Sequence, residues 1–139
     1  MPTAAVALNA KAIMPSLTSD DINKSLAFYE ALGFTVSERW EEDGKLIGVM
    51  VQAGSLQIGL NQDDWKKGRD REKGIGTRLY IETADNIDQI AERAKAAGLK
   101  LDVEPFDTEW KTRQFELSDP DGFKLTVSSE WPKEKAGAS

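Results

Sequence analysis

A chain of 139 residues with 40% hydrophobic and 30% charged content has the size and composition of one soluble domain built around a single core. Its formal charge of −6 repels phosphate backbones and argues against nucleic-acid partners, and its apolar runs fall far short of the ~18 residues of a membrane span. Histidine and cysteine are both absent, which excludes imidazole- and thiolate-ligated metals, disulfides, and Ser-His or Cys-His nucleophile pairs.

Residues 1–11 are small and weakly apolar without a period, and read as a flexible extension; 132–139 read as a flexible tail. The start of the chain lacks a basic leader and Lys11 interrupts its apolar character, so a cytoplasmic location is expected. The folded body is expected over 12–131. Ser19-Asp20-Asp21 supplies a capping hydroxyl and first-turn acids, Ile22, Leu26 and Tyr29 follow on one face, and Gly33 stops the helix. Phe34, Val36 and Trp40, then Leu46 to Val51, then Leu56 to Leu60 read as three strands, turned at Asp43-Gly44 and Gly54. A charged linker over 63–75 separates this first unit (12–62) from a second (76–128), and reads as a solvated, mobile segment with a lid over a cavity as the alternative.

The second unit repeats the order. Leu79, Ile81 and Thr83 suggest a strand, and Asp85-Asn86 starts a helix carrying Ile87, Ala91 and Ala94 on one face until Gly98. Leu99 to Val103, Trp110 to Leu117 and Phe123 to Val127 suggest three more strands, the last hairpin closed by Asp121-Gly122. At an offset of 65, Ile22 matches Ile87 and Gly33 matches Gly98. The expected fold is therefore α+β: two βαβββ modules whose curved mixed sheets surround a cavity.

Two stretches, Ser25-Leu26-Ala27-Phe28-Tyr29-Glu30-Ala31-Leu32-Gly33-Phe34 and Asp119-Pro120-Asp121-Gly122-Phe123, carry a family resemblance. With the duplicated order they resemble the vicinal-oxygen-chelate superfamily, which contains glyoxalase I, bleomycin-resistance proteins and extradiol dioxygenases. The resemblance implies a homodimer and, in metal-dependent members, four inward-facing ligands. Those positions fall here on Met14, Gly59, Arg78 and Thr126, or with the register slipped by two on Ser16, Gln57, Tyr80 and Lys124. Neither set supplies a carboxylate or imidazole, and a guanidinium repels a cation. No metal or other cofactor is expected.

What remains is a ligand-binding reading. Arg78 would hold an anionic oxygen, or else form an ion pair with Glu82 or Glu116; Tyr80 would stack on a ring, or pack the core. Trp40, Trp65, Trp110 and Trp131 fall at strand ends or in loops, as rim residues or as dimer-interface packing. The candidate ligand-binding residues are Met14, Ser16, Gln57, Arg78, Tyr80, Phe106, Trp110, Gln114 and Thr126. The ligand expected from rings in acidic surroundings is a small aromatic or cationic organic molecule, sequestered as in drug-resistance proteins. The alternative is a metal-free isomerase, epimerase or lyase on a small carbonyl compound, with Arg78 holding the oxyanion.

Overall fold

Ten elements follow in the order β1 (Ser16–Ser19), α1 (Ile22–Leu32), β2 (Thr35–Glu42), β3 (Lys45–Ala53), β4 (Leu56–Gln62), β5 (Arg78–Glu82), α2 (Ile87–Ala96), β6 (Val103–Asp107), β7 (Thr112–Ser118) and β8 (Lys124–Glu130). They come from a computed structural model that describes residues 7–131. The expected tail of 132–139 and the first six residues of the extension lie outside the described residues. The α+β architecture of two βαβββ modules is the one the sequence leads to. Each module forms a four-stranded mixed sheet, ordered β1-β4-β3-β2 and β5-β8-β7-β6, and the two sheets do not close into a barrel. In both, the first strand runs parallel to the last and the hairpins are antiparallel. No helix among the described residues is long and apolar enough to cross a membrane.

The alternating pattern of each strand decides its faces. Val49, Val51, Ile58, Leu60 and Leu17 turn toward α1, and Phe115, Leu117, Leu125 and Val127 form the matching layer of the second sheet; all are buried in one cluster with Ile22, Tyr29, Phe34, Ile87 and Ala91. The helix face expected from Ile87, Ala91 and Ala94 is the buried face of α2. Because α1 also packs on α2, the modules share a core and each sheet keeps its other face open.

Both helices end alike. In the first, the amides of Gly33 and Phe34 donate to Glu30 and Tyr29; in the second, those of Gly98 and Leu99 donate to Lys95 and Ala94. Gly33 and Gly98 have φ of 117° and 97°, a left-handed conformation that glycine adopts without penalty. The structural repeat thus holds at the offset of 65 down to these bonds.

Three local expectations are corrected. The cap of α1 is Asp21, whose carboxylate accepts from the Asn23 amide, rather than Ser19. Ser19 instead ends β1 opposite Gln62 and spends its hydroxyl on Ser25, 2.5 Å away. The sixth strand starts at Val103 rather than Leu99. Leu99 and Leu101 leave the helix as partly buried packing against the core, and Pro105, which has no amide to donate, sits where the β6–β7 register shifts. Such a residue fits only an edge strand, which β6 is. Finally, Trp110 lies in the turn before β7 rather than in the strand.

The charged segment after β4 is anchored at its ends. The Lys73 ammonium, with 4% of its side chain exposed, lies 2.9 Å from Asp63 and also pairs with Asp20. Arg71 reaches Asp63 at 3.0 Å, and the Trp65 ring receives the cations of Arg69 and Lys73 on its face. Gly74 is buried where this segment crosses the Asp119-Pro120-Asp121-Gly122 turn.

Candidate functional site

The open face of the second sheet is built in rows across β5, β8, β7 and β6. Arg78, Lys124 and Ser118 form one row; Tyr80, Thr126, Glu116 and Val103 the next; Glu82, Ser128, Gln114 and Phe106 the third. The arrangement follows from polar residues at every second position, as in Lys124, Thr126 and Ser128. Arg78 crosses the rows: its Nη1 donates to Thr126 Oγ1 at 2.9 Å and lies 3.0 Å from Glu116 Oε1. Of the two ion partners expected, Glu116 is the one engaged. Thr126, Gln114 and Ser128 are buried beneath this layer, whereas Tyr80 stands out with 67% exposure.

At its third row the face runs into a cleft of about 800 Å³ at the end of the sheet, whose lining includes Glu82, Asn86, Asp88, Ser128, Glu130 and Trp131. Arg113 is held on the cleft wall by Asp88 and Asp107, at 2.8 and 3.3 Å. Arg113 keeps the Asp88 carboxyl below its ordinary range. The rest of the lining holds Glu82, Asp85 and Glu130 and a single ring, Trp131, among Thr, Ser and Asn side chains, and its excess of carboxylates favours a cation.

Five of the nine expected residues therefore meet on one surface: Arg78, Tyr80, Phe106, Gln114 and Thr126. Ser16 and Gln57 lie on the open face of the first sheet, in rows with Gly59 and Gln52. There Asn61 Nδ2 donates to Ser16 at 2.6 Å, and Trp40 lies against Gly48, whose missing side chain leaves room for the ring. Met14 precedes β1 and is exposed, and Trp110 is exposed in its turn. Sequence reasoning missed Ser128, although the period of two through β8 marks it, and it missed that Trp40 has a glycine seat across the hairpin.

Of the positions that the family resemblance led one to expect as ligand positions, Arg78 and Thr126 are bonded to each other, and Gly59 offers no side chain. Among the described residues, no group of three or more His, Cys, Asp or Glu is placed to hold a metal ion.

A second cavity, of about 400 Å³, lies at the junction of the modules and is lined by Leu32, Phe34, Leu56, Ile81, Ile90 and Val127, among others. A third, of about 470 Å³, lies beside the linker at Arg71, Gly74 and Gly122.

The family model of the Glyoxalase/Bleomycin resistance protein/Dioxygenase superfamily matches residues 11–127. The chain belongs to this superfamily. Among solved structures, it is similar to a glyoxalase/bleomycin resistance protein/dioxygenase from Nocardioides, with 20% identity, a TM-score of 0.69, and coverage of 91% of this chain and 87% of that one. TioX from Micromonospora sp. ML1 gives 16% identity and a TM-score of 0.71 over 87% of this chain and 99% of its own. A glyoxalase/bleomycin resistance protein/dioxygenase family enzyme from Burkholderia phytofirmans PsJN gives 22% and 0.67 over 84% and 96%. These likenesses establish the fold. Nothing matches among curated proteins.

Proposed function

We propose that this protein binds a small organic molecule, aromatic or cationic, without a metal, in the manner of drug-sequestering members of its superfamily. The observation that carries the reading is Arg78. Its guanidinium stands at a position that the family resemblance assigns to a ligand in metal-dependent members, and it is bonded to Thr126 and Glu116. A site of this kind recognises a ligand by hydrogen bonds and ring contact instead of chelation. Tyr80 supplies an exposed ring on the same strand face, and the adjoining acidic cleft with Trp131, about 800 Å³, has the volume of a site for a drug-sized molecule.

The same reading takes the protein to be a cytoplasmic homodimer, in which the open face of a partner's sheet completes the pocket. Tryptophan fluorescence titrated with planar organic cations, bleomycin-like drugs included, tests the binding. Saturable quenching that survives a chelator and weakens in Tyr80→Ala is expected. Absence of saturation across the panel, or binding restored only by a divalent metal, overturns the reading. Conversion of a carbonyl compound by the metal-free protein would replace it with a lyase or isomerase.

A further inference from the structure

The third row of the second sheet's open face runs Glu82, Ser128, Gln114, Phe106 from β5 across to β6. The two residues at its centre are buried, Ser128 at 6% exposure and Gln114 at 5%. Polar side chains at that depth are normally hydrogen-bonded, because a donor withdrawn from water without a partner costs the folded state. Here two donors lack one. Gln114 Oε1 accepts from the Thr112 hydroxyl at 3.2 Å, but among the described residues nothing accepts from Gln114 Nε2, and the Ser128 hydroxyl has no partner.

These donors are placed to act together. Ser128 and Gln114 are cross-strand partners and so stand side by side on one face, and Ser128 lines the 800 Å³ cleft. A carbonyl oxygen, with two lone pairs, can take a hydrogen bond from each. The flanks differ. Glu82 is exposed and in no ion pair among the described residues, whereas Phe106 offers a half-buried ring. Strands lie about 4.8 Å apart, so the row spans about 14 Å with the two donors at its middle.

We infer that this row reads its ligand in order: a cation at Glu82, a carbonyl oxygen at Ser128 and Gln114, and an aromatic ring at Phe106. The molecule bound is therefore an aryl carbonyl compound that carries an ammonium group on its chain. The inference rests on the small-molecule reading above and narrows it, requiring ring and charge together with an acceptor between them.

Two probes test it: an aryl ketone with a trimethylammonium group three carbons from the carbonyl, and the same compound with CH2 in place of the carbonyl. Titration of the full chain by calorimetry should show the ketone binding at least tenfold more tightly. Ser128→Ala and Gln114→Met, which delete the donors, should each cut that preference to threefold or less. Glu82→Gln should instead weaken both probes by a similar factor and keep the preference. Ser128→Ala is the smaller change and decides the case if Gln114→Met does not fold. Equal affinity of the wild type for the two probes, or a preference that the donor variants retain, overturns the inference and assigns the two donors to internal water; the small-molecule reading then stands, since both probes bind. Binding of neither probe also overturns the inference, and the wider reading falls with it only when the rest of the cation panel fails as well.

Discussion

The phenol of Tyr29 donates to Asp119 Oδ2 at 2.8 Å, joining residues 90 apart in the sequence. It ties the first helix to the turn that closes the last hairpin, and so the two stretches that carry the family resemblance prove to be in contact with each other. The other oxygen of Asp119 accepts from the amides of Asp121 and Phe123, while Asp121 accepts from Ser25 and from the Asp20 amide. Burial pushes the Asp119 carboxyl above its usual range despite these donors, and together with Asp119 it raises Tyr29 well beyond an ordinary phenol.

Tyr29→Phe should therefore cost about 1–3 kcal/mol at neutral pH, since it leaves a buried acceptor short of a donor. Its pH dependence separates the bond from the packing. A phenol with a raised folded pKa contributes stability below pH 10.0, the unfolded value, and loses it as the pH climbs further. Denaturant melts at pH 7 and above pH 10 should show the wild type falling toward the variant at the alkaline end; parallel curves would contradict the assignment.

Asp63 answers at the other end of the scale. Lys73, the Trp65 amide and Arg71 hold its carboxyl far below the ordinary value of 3.8. A depressed carboxylate contributes stability above its unfolded pKa and loses it as the pH drops through the folded one. Asp63→Asn should melt below the wild type at pH 7, with the difference shrinking steadily under pH 3.8. A gap that is constant across that range would mean the ion pairs with Lys73 and Arg71 contribute nothing.

Gly74→Ala should be among the most damaging single-methyl additions in this chain. A Cβ at this position would overlap the carbonyl group of Gly122 and the amide nitrogen of Phe123. Backbone cannot yield as a flexible side chain does, so about 3 kcal/mol is expected. Gly68→Ala is the control: the space around it is open and only its φ of 97° opposes the change. Thermal melts giving equal losses for the two would show that crowding at Gly122 is not the cause.

Divalent metals should leave the melting temperature unmoved. A ligand that binds the folded form at a hundred times its dissociation constant adds about 2.7 kcal/mol, easily seen in a melt. Manganese, nickel and zinc at millimolar concentration should give no such shift, and Arg78→Glu, which removes the blocking cation, is the variant in which a shift would first emerge. Stabilisation of the wild type by any of them would contradict the reading of Arg78.

Much of this molecule is legible in its sequence because the signals are periodic. Ile87, Ala91 and Ala94 repeat at helical spacing and form the buried face; Thr126 and Gln114 alternate with Leu125 and Phe115 and share the open one. What escaped is what periodicity does not encode. The shift of the sixth strand to Val103 depends on Leu99 and Leu101 finding the core, a tertiary matter. Lys73 reads as one more charge in a polar run until the fold brings Asp20 and Asp63 around it. The division of the candidate residues between sheets follows from their modules, Ser16 and Gln57 on the first and Arg78, Tyr80, Phe106, Gln114 and Thr126 on the second, whereas how the two open faces stand to one another depends on tertiary packing that no strand period encodes.

The two halves share their helix endings, yet they differ where they join. At the offset of 65, the counterpart of Tyr29 is Ala94, buried in α2, and the counterpart of Asp119 is Gly54 in the β3–β4 turn. The hydroxyl and its acceptor thus occur once each, on opposite halves. A single hydrogen bond of this kind, with its donor on one half and its acceptor on the other, has no counterpart running in the reverse sense. The joint between the modules is therefore asymmetric although their chain paths repeat.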